Sequence, residues 1–267
     1  METATTIENP QKSSSLMKRC LRTLHLAEAA FRIREFFYQL LRIDGIRTMV
    51  AGIRYFTFVI ILRRFKTLNV ETGNVNSNAV SHNRRNIMRT VGGFSVTRSN
   101  FLLHPLSGMQ MSKSAPVLSI GPRTEGEILN LMGLGFRNIR AIDLMTYSPW
   151  IDLGDMHALP YKNDEFAAVI MGWVLTYSSN KRQAALEALR VVRNGGIIAV
   201  GSASSRIGEE PLLRENSTPS GIKQWNPTWT ELLDCFKPHI DHIYYAHNHP
   251  VLGGKQRDLM AIFSVRK

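Results

Sequence analysis

Three short segments near the middle of the chain place glycine or aspartate where a nucleoside could bind. An apolar run, Val117–Ile120, ends at Gly121, where the lack of a side chain lets a ligand approach the backbone. A second apolar run, Ile139–Ile142, ends on Asp143, and Asp155 lies in a turn soon afterwards. Carboxylates at such turns can accept hydrogen bonds from ribose hydroxyls and from an exocyclic amine. The order of glycine turn, acid and second acid therefore predicts a nucleoside-binding site.

A parallel sheet would bring these residues together, because the carboxyl ends of its strands meet at one edge. Further strands are predicted at Phe166–Met171 and Ile197–Gly201, with a helix over Asn180–Arg193 between them. Two later strand-like runs, Ile240–Tyr245 and Leu259–Val265, are expected to form an antiparallel hairpin.

Local capping signals place two further helices. Thr124 and Glu127 have the form of a capping box, which predicts a helix from about Glu125 to Gly133 or Gly135. A short helix is also predicted after Pro227, with Asn226 as its N-cap.

The connection after Asp143 is unusually short for such a sheet. Only 11 residues separate Asp143 from Asp155, which leaves no room for a full helix between the second and third strands. We expect a very short third strand around Trp150–Leu153, preceded by an irregular loop.

With these motifs the chain resembles the class I S-adenosylmethionine (SAM)-dependent methyltransferases, most closely the type 11 methyltransferase domain. The segment Gly154-Asp-Met-His-Ala-Leu-Pro160 is similar to the family's segment after its third strand, and the resemblance covers roughly residues 115–205. It implies an α/β fold: a doubly wound, mostly parallel Rossmann-like sheet with a C-terminal antiparallel hairpin and an N-terminal helical extension. It also implies SAM as cofactor and methyl transfer to a small-molecule acceptor that the sequence does not identify.

The resemblance assigns roles to individual residues of the cofactor site. Asp143 would accept from the ribose, Asp155 from the adenine amine, and Met156 would pack on the adenine ring. By charge rather than by resemblance, Arg123 is a candidate to hold the methionine carboxylate, and Glu125 or Glu127 its ammonium. The alternative for Arg123 is a side chain that points to solvent. The full set expected to bind the cofactor is Gly121, Arg123, Glu125, Gly126, Asp143, Leu144, Asp155, Met156, Gly172 and Trp173.

The acceptor pocket is expected beside the fourth strand. Trp173 and Tyr177 are the candidates for its wall, with a role as core aromatics as the alternative. His157 is a candidate base, because histidine titrates near neutral pH.

The glycine turn departs from the family pattern. Ser119 stands where the family has an acid, and Pro122 and Arg123 stand where a second glycine is expected. A strict G-x-G-x-x-G is absent, which disfavours an NAD-dependent oxidoreductase. These departures favour an alternative, a non-catalytic methyltransferase-fold scaffold that binds membrane or a protein partner through its basic extension. Asp143, Asp155 and Trp173 favour the enzyme.

Composition indicates an intracellular chain without a metal site. The 267 residues are 44% hydrophobic with a net charge of +12, which suits one α/β domain plus an extension. Cys20 and Cys235 match no metal or redox spacing, and the histidines between His239 and His249 match no zinc pattern. We expect a cytoplasmic protein, either free or at a membrane surface.

The positive charge lies mainly in the N-terminal part of the chain. Residues 1–115 carry 17 Lys and Arg against 6 Asp and Glu, whereas residues 116–267 carry 16 against 15. The expected organisation is a disordered segment (1–15), a basic amphipathic helical extension (16–66), a linker or cap (67–114) and the methyltransferase domain (115–267).

Two interpretations of the extension stay open: a cap packed on the sheet domain, or a surface that contacts an anionic membrane. The apolar run Tyr55–Leu62 is too short to span a bilayer. No nucleic acid is expected as a partner, because the basic tract Arg84–Arg89 lacks interleaved aromatics and a recognition motif.

Overall fold

The computed structural model describes residues 27–68, 94, 97–205, 215–217, 223–225, 227–248 and 256–267. The chain divides after Leu40 into two compact units. In the first unit, residues 27–40 form helix α1, on which Phe31, Ile33 and Phe36 are exposed. The segment predicted as disordered (1–15) and residues 69–93 of the predicted linker or cap (67–114) lie outside the described residues.

The second unit begins at Leu41 and contains the sheet. Its first half consists of α2 (Asp44–Tyr55), a π-helix (Phe56–Ile61), β1 (Lys66–Thr67), α3 (Thr97–Ser107), β2 (Val117–Ile120), α4 (Glu125–Gly133), β3 (Ile139–Asp143), β4 (Met145–Thr146) and β5 (Ile151–Leu153). Its second half consists of β6 (Phe166–Gly172), a 3-10 turn (Leu175–Tyr177), α5 (Lys181–Val191), β7 (Val192–Ser205), β8 (Glu215–Ser217), β9 (Lys223–Trp225), α6 (Trp229–Asp234), β10 (Ile240–His247) and β11 (Gln256–Val265).

Seven of the described strands form one sheet in the order β10-β11-β7-β6-β2-β3-β5. The strands from β5 to β7 in this order are parallel, and β11 and β10 add an antiparallel hairpin at one end. The chain moves outward from β2 to β3 and β5, and then returns to the other side of β2 with β6. The direction of winding therefore changes between β2 and β6, which is where open α/β sheets bind ligands. The predicted fold class is confirmed.

Helices cover both faces of the sheet. On one face, α3 contributes Leu102, Leu103 and Leu106 to a core with Leu131 of α4 and Ile170 of β6. The opposite core contains the apolar residues of α5 and α6, including Ala184, Ala188, Leu189, Leu232 and Leu233, packed on Val169, Val200 and Phe263. The cap predicted over residues 67–114 thus contains a helix that shares the core of the sheet.

Two capping predictions need correction. Thr124 is the N-cap of α4 and accepts from the amide of Gly126, but the carboxylate of Glu127 accepts hydrogen bonds from Ser119 and Ser99. Helix α6 begins after Thr228 rather than after Asn226. Thr228 and Glu231 form a complete capping box there.

The short connection between β3 and β5 is confirmed. Residues 144–150 join these parallel neighbours, although such connections usually need about a dozen residues or more. This short connection can still reach the start of β5, because β5 pairs only with the last three residues of β3. The pairs run from Ala141 opposite Ile151 to Asp143 opposite Leu153. Instead of a helix, the connection contains β4, which pairs with β1 from the N-terminal part of the unit.

Candidate functional site

The turn after β2 has a backbone that only some residues tolerate. Gly121 and Arg123 both have positive φ, at 73° and 62°. A Cβ on Gly121 would lie 2.6 Å from the Cγ2 atom of Val174, so glycine is required by packing as well as by conformation. Val174 follows β6, and its contact with Gly121 joins the two strands at the point where the winding changes direction.

Asp143 lies at the carboxyl end of β3 and faces this turn. Its Oδ2 atom accepts from the amide of Arg123 at 2.9 Å, and its Oδ1 atom from the amide of Met145 at 3.3 Å. The side chain is buried, and burial raises the pKa of Asp143 to about 6, although hydrogen bonds from the amides of Arg123, Met145 and Leu144 partly oppose the shift. Because a carboxylate has about four acceptor positions, both oxygens can still accept from ribose hydroxyls.

Leu144 and Gly126 contribute main-chain atoms around Asp143 and the start of α4. The carbonyl of Leu144 accepts from the amide of Leu68, 2.8 Å away, which fixes the β3–β4 junction to the N-terminal segment. Gly126 is buried in the first turn of α4, where its amide donates to Thr124.

Glu127 lies beside Ser119, the position at which the resemblance predicts an acid. The hydroxyl of Ser119 donates to Oε1 of Glu127 at 2.6 Å, and Ser99 of α3 donates to Oε2 at 3.0 Å. A Cβ on Gly172 would lie 3.7 Å from Oε2, so the carboxylate lies close to the end of β6. Burial raises the pKa of Glu127. An acid from the helix thus lies between β2 and β6 at the strand end.

Glu125 has other partners. Its carboxylate is completely buried and is bound by the guanidinium of Arg54, with one bond of 2.8 Å between Nη2 and Oε1. Ser148 also donates to the same carboxylate. The amide of Glu125 donates to the hydroxyl of Tyr147. Arg54 and Ser148 therefore already bind the carboxylate of Glu125.

Side chains at the end of α2 cover the space beside the short β3–β5 connection. The guanidinium of Arg54 stacks on Trp150, 3.7 Å from the ring centroid. Tyr55 packs edge-on against Tyr147, with 4.9 Å between ring centroids. Burial raises the pKa of the Tyr147 hydroxyl. Side chains of α2 therefore lie where a helix between β3 and β5 would otherwise pack.

Asp155 and His157 form a linked pair after β5. Nδ1 of His157 lies 2.5 Å from Oδ1 of Asp155, and the amide of His157 donates to the same oxygen. Nε2 of His157 lies 2.7 Å from the hydroxyl of Ser178. Burial opposes ionisation of Asp155, but the hydrogen bonds from His157 prevail and lower its pKa. His157 therefore holds Asp155 ionised and joins the turn after β5 to the turn after β6.

The turn after β5 is also tied directly to β3. The amide of Gly154 donates to the carbonyl of Asp143 at 3.0 Å, so the two predicted nucleoside-binding acids lie on hydrogen-bonded neighbours. Met156 is buried beside them in the core on that face.

Trp173 follows Gly172 at the end of β6 and has a positive φ of 60°. Its indole Nε1 donates to Asp258 of β11 at 2.9 Å, and the ring lies over Gly201 of β7. The guanidinium of Arg98 lies 4.6 Å from the ring centroid. A strained backbone conformation at a non-glycine residue is common at functional sites. Tyr177 lies at the end of the 3-10 turn and is half-buried.

The structure brings most of the predicted residues to one edge of the sheet. Gly121, Arg123 and Asp143 are in direct contact through the turn after β2, and Asp155 lies beside them. Arg54 and Ser178 were not predicted from the sequence. No local sequence motif marks either residue, because each pairs with a residue that is distant in the sequence. Within the described residues, no group of three or more His, Cys, Asp or Glu side chains is placed to hold a metal ion.

Comparisons with known proteins agree with this geometry. The model of the type 11 family, a methyltransferase domain, matches residues 125–200, which include Asp143, Asp155 and Gly172. No curated protein matches the chain in sequence.

Several solved structures are similar to the chain. One is a chain from the Haloferax volcanii complex of the Trm112 methyltransferase activator with a methyltransferase (14% identity, 72% of this chain, 98% of that chain, TM-score 0.49). The others include SAM-dependent methyltransferases of Thermotoga maritima (17%, 70% and 96%, TM-score 0.45) and Mesorhizobium loti (11%, 64% and 100%, TM-score 0.47).

The sheet order, the acids at the ends of β3 and β5 and the family match over residues 125–200 lead to one conclusion. Residues 125–200 of the chain match the methyltransferase domain of the type 11 family, and they lie in an α/β fold built on a mostly parallel sheet.

Proposed function

We propose that this enzyme transfers the methyl group of SAM to a small-molecule acceptor bound beside the turn after β6. The observation that carries the proposal is the pairing of Asp143 and Asp155 on neighbouring strand ends, joined by the bond from Gly154 to Asp143. In this proposal Asp143 accepts from the ribose diol and Asp155 from the adenine amine. Their separate positions suit the two ends of one nucleoside.

Glu127 is a better candidate than Glu125 to bind the ammonium group of the cofactor. Glu125 is already paired with Arg54, whereas Glu127 accepts hydrogen bonds from the neutral hydroxyls of Ser99 and Ser119 and lies near Gly172. A buried carboxylate with a raised pKa gains from a cationic ligand, because the ligand's charge stabilises its ionised form. Arg123 lies in the turn after β2 and remains the candidate to bind the methionine carboxylate of the cofactor.

The residues of the protein act by binding and alignment. SAM supplies a methyl group that is already activated by the sulfonium, so correct placement of the acceptor accounts for much of the rate. Trp173 is fixed by Asp258, Arg98 and Gly201, and such a rigid wall suits an alignment role. His157 is held at both ring nitrogens and is proposed to position Asp155 rather than to remove a proton from the acceptor.

The burial of the site favours a small acceptor. Asp143, Met156 and Trp173 are each less than a tenth exposed, so the end of the sheet is enclosed by the protein. An enclosed site suits a small molecule, since drug-sized ligands are mostly buried when bound.

The test is binding of methyl-labelled SAM to the full-length protein, with the demethylated product as competitor. We expect saturable, competed binding, and transfer of label to a low-molecular-weight product in cell extract. Asp143→Asn should weaken this binding, and Asp164→Asn, at an exposed turn, is its matched control. Label recovered on protein or nucleic acid would contradict a small acceptor. Absence of SAM binding by the folded protein would favour the scaffold alternative.

A further inference from the structure

The segment formed by α2 and the π-helix has its polarity reversed relative to an ordinary surface helix. Arg47 is buried and donates to the carbonyl of Leu41 at 3.0 Å, and Arg54 points inward to Glu125. Large apolar residues face outward instead. A surface helix normally buries its apolar stripe and exposes its charges.

The exposed apolar residues form one stripe. Met49, Ile53, Phe56 and Ile60 follow each other at spacings of four, three and four residues, and each is between 52% and 59% exposed. These spacings place side chains on one face of a helix. We call these four residues the outer face. Ile61 and Leu62 extend the exposed apolar surface at its end.

Positive charge surrounds the end of the outer face. Arg63, Arg64 and Lys66 are exposed immediately after Leu62. Residues 41–66 contain six Lys and Arg residues and one acidic residue, Asp44. Long basic side chains beside an apolar stripe can place their charge among anionic headgroups while the stripe enters the interface.

We propose that the outer face lies on the surface of an anionic lipid bilayer, with Arg63, Arg64 and Lys66 contacting the headgroups. Charge complementarity selects this occupant: a second copy would bring the same basic cluster and a further net charge of +12 to the contact. The mode of binding is peripheral. No helix among the described residues is long and apolar enough to cross a bilayer.

The position of Arg54 links this surface to the cofactor site. Arg54 lies one residue after Ile53 of the outer face, and its guanidinium binds Glu125 at the start of α4. Docking of the outer face would therefore hold the cofactor site close to the bilayer surface. The proposal depends on the exposed residues of α2 and the π-helix and does not require methyl transfer.

The test is sedimentation of the full-length protein with vesicles of phosphatidylcholine containing 30% phosphatidylserine, about the composition of an anionic leaflet. The apolar variant is Ile53→Gln, Phe56→Gln and Ile60→Gln combined, and the charge variant is Arg63→Gln, Arg64→Gln and Lys66→Gln combined. The matched control is Phe101→Gln with Leu186→Gln, which changes exposed apolar residues elsewhere on the unit. Circular dichroism and SAM binding report whether each variant is folded.

The wild type and the control should sediment with these vesicles, and both test variants should bind at least about tenfold more weakly. Binding should weaken with salt and be lost on pure phosphatidylcholine. No sedimentation of the wild type, or equal sedimentation of all variants, would overturn the proposal. Light scattering that shows a wild-type dimer converted to a monomer by the apolar variant, without vesicle binding, would assign the face to a second copy.

Discussion

The guanidinium of Arg54 and the carboxylate of Glu125 form a two-pronged ion pair in which the carboxylate is fully buried. The two residues are 71 positions apart, and the pair joins α2 to the first turn of α4. Helix α2 is therefore part of the wall of the proposed cofactor site and cannot be regarded as an appended tail.

Replacement of Arg54 should strongly destabilise the domain. Arg54→Ala leaves the Glu125 carboxylate buried without its cation, and breaking one side of a buried pair costs about 3–5 kcal/mol. Because the arginine is about a quarter exposed, we expect the lower end of this range. Urea unfolding gives the free energy of unfolding directly.

Two variants give the controls for this prediction. Arg64→Ala removes an exposed arginine from the same segment and should change the free energy of unfolding by less than about 1 kcal/mol. Glu125→Gln in the Arg54→Ala background removes the unpaired charge and should restore part of the loss. If Arg54→Ala is as stable as Arg64→Ala, the ion pair contributes nothing to stability.

Truncation should separate the first compact unit from the second. A chain that begins at Leu41 retains α2, the π-helix and β1, so it should fold and bind SAM. A chain that begins at residue 69 loses Arg54, Tyr55 and β1, which exposes Tyr147 and Trp150 and leaves Glu125 unpaired. We expect this shorter chain to be aggregated or molten, as shown by circular dichroism and gel filtration. Normal SAM binding by the shorter chain would show that the segment is dispensable.

The affinity for SAM should depend on pH through Asp143. The pKa of this residue is raised to about 6 by burial, and in the proposed site the ribose hydroxyls donate to its ionised form. Protons therefore compete with SAM below pH 6, and the dissociation constant should rise by up to about tenfold for each unit of further acidification. Above pH 7 the affinity should be constant. Asp143→Asn should bind weakly at all pH values, whereas a wild-type pH profile in this variant would exclude Asp143 as the titrating group.

The same shift has a consequence for the stability of the protein without ligand. A carboxyl group whose pKa is raised on folding favours the folded state most when it is protonated. Its contribution to the free energy of unfolding should fall by about 3 kcal/mol as the pH rises from about 4 to about 6, and then stay constant. Asp143→Asn should remove this slope, as measured by urea unfolding at several pH values.

Asp155 should read the adenine ring. Asp155→Asn can present a donor to the adenine amine and should weaken SAM by about 1–3 kcal/mol, as measured by calorimetry. His157→Ala should weaken it less, because the carboxylate remains but loses the contact that orients it. Asp164→Asn is the matched control. Unchanged SAM affinity in Asp155→Asn would remove this residue from the cofactor site.

The local elements of the sheet domain could be predicted from the sequence because each depends on neighbouring residues. The apolar runs at β2 and β6, the Thr124 cap and the C-terminal hairpin all have short-range signals. The start of α6 was predicted wrongly, although the sequence Thr228-Trp-Thr-Glu231 already contains the capping-box pattern. Pro227 was given more weight there than a complete reciprocal cap.

The partners of the buried acids could not be predicted in the same way. Glu127 was interpreted as half of a capping box, but Ser119 and Ser99 bind its carboxylate. The serine at the end of β2 and the glutamate eight positions later are explained only when the helix folds back on the strand. Arg54 likewise has no signal near Glu125, since tertiary packing alone brings the two together.

The short connection between β3 and β5 also has an evolutionary consequence. Because residues 144–150 form no helix, the neighbourhood of Tyr147 and Trp150 is completed by Arg54 and Tyr55. The effect of a substitution at Arg54 or Tyr55 should therefore depend on which residues are present at positions 147 and 150. Among relatives that share the short connection, position 54 should covary with positions 125 and 150. Relatives that have a helix there should lack this constraint, so their residues at positions 54 and 55 should vary freely.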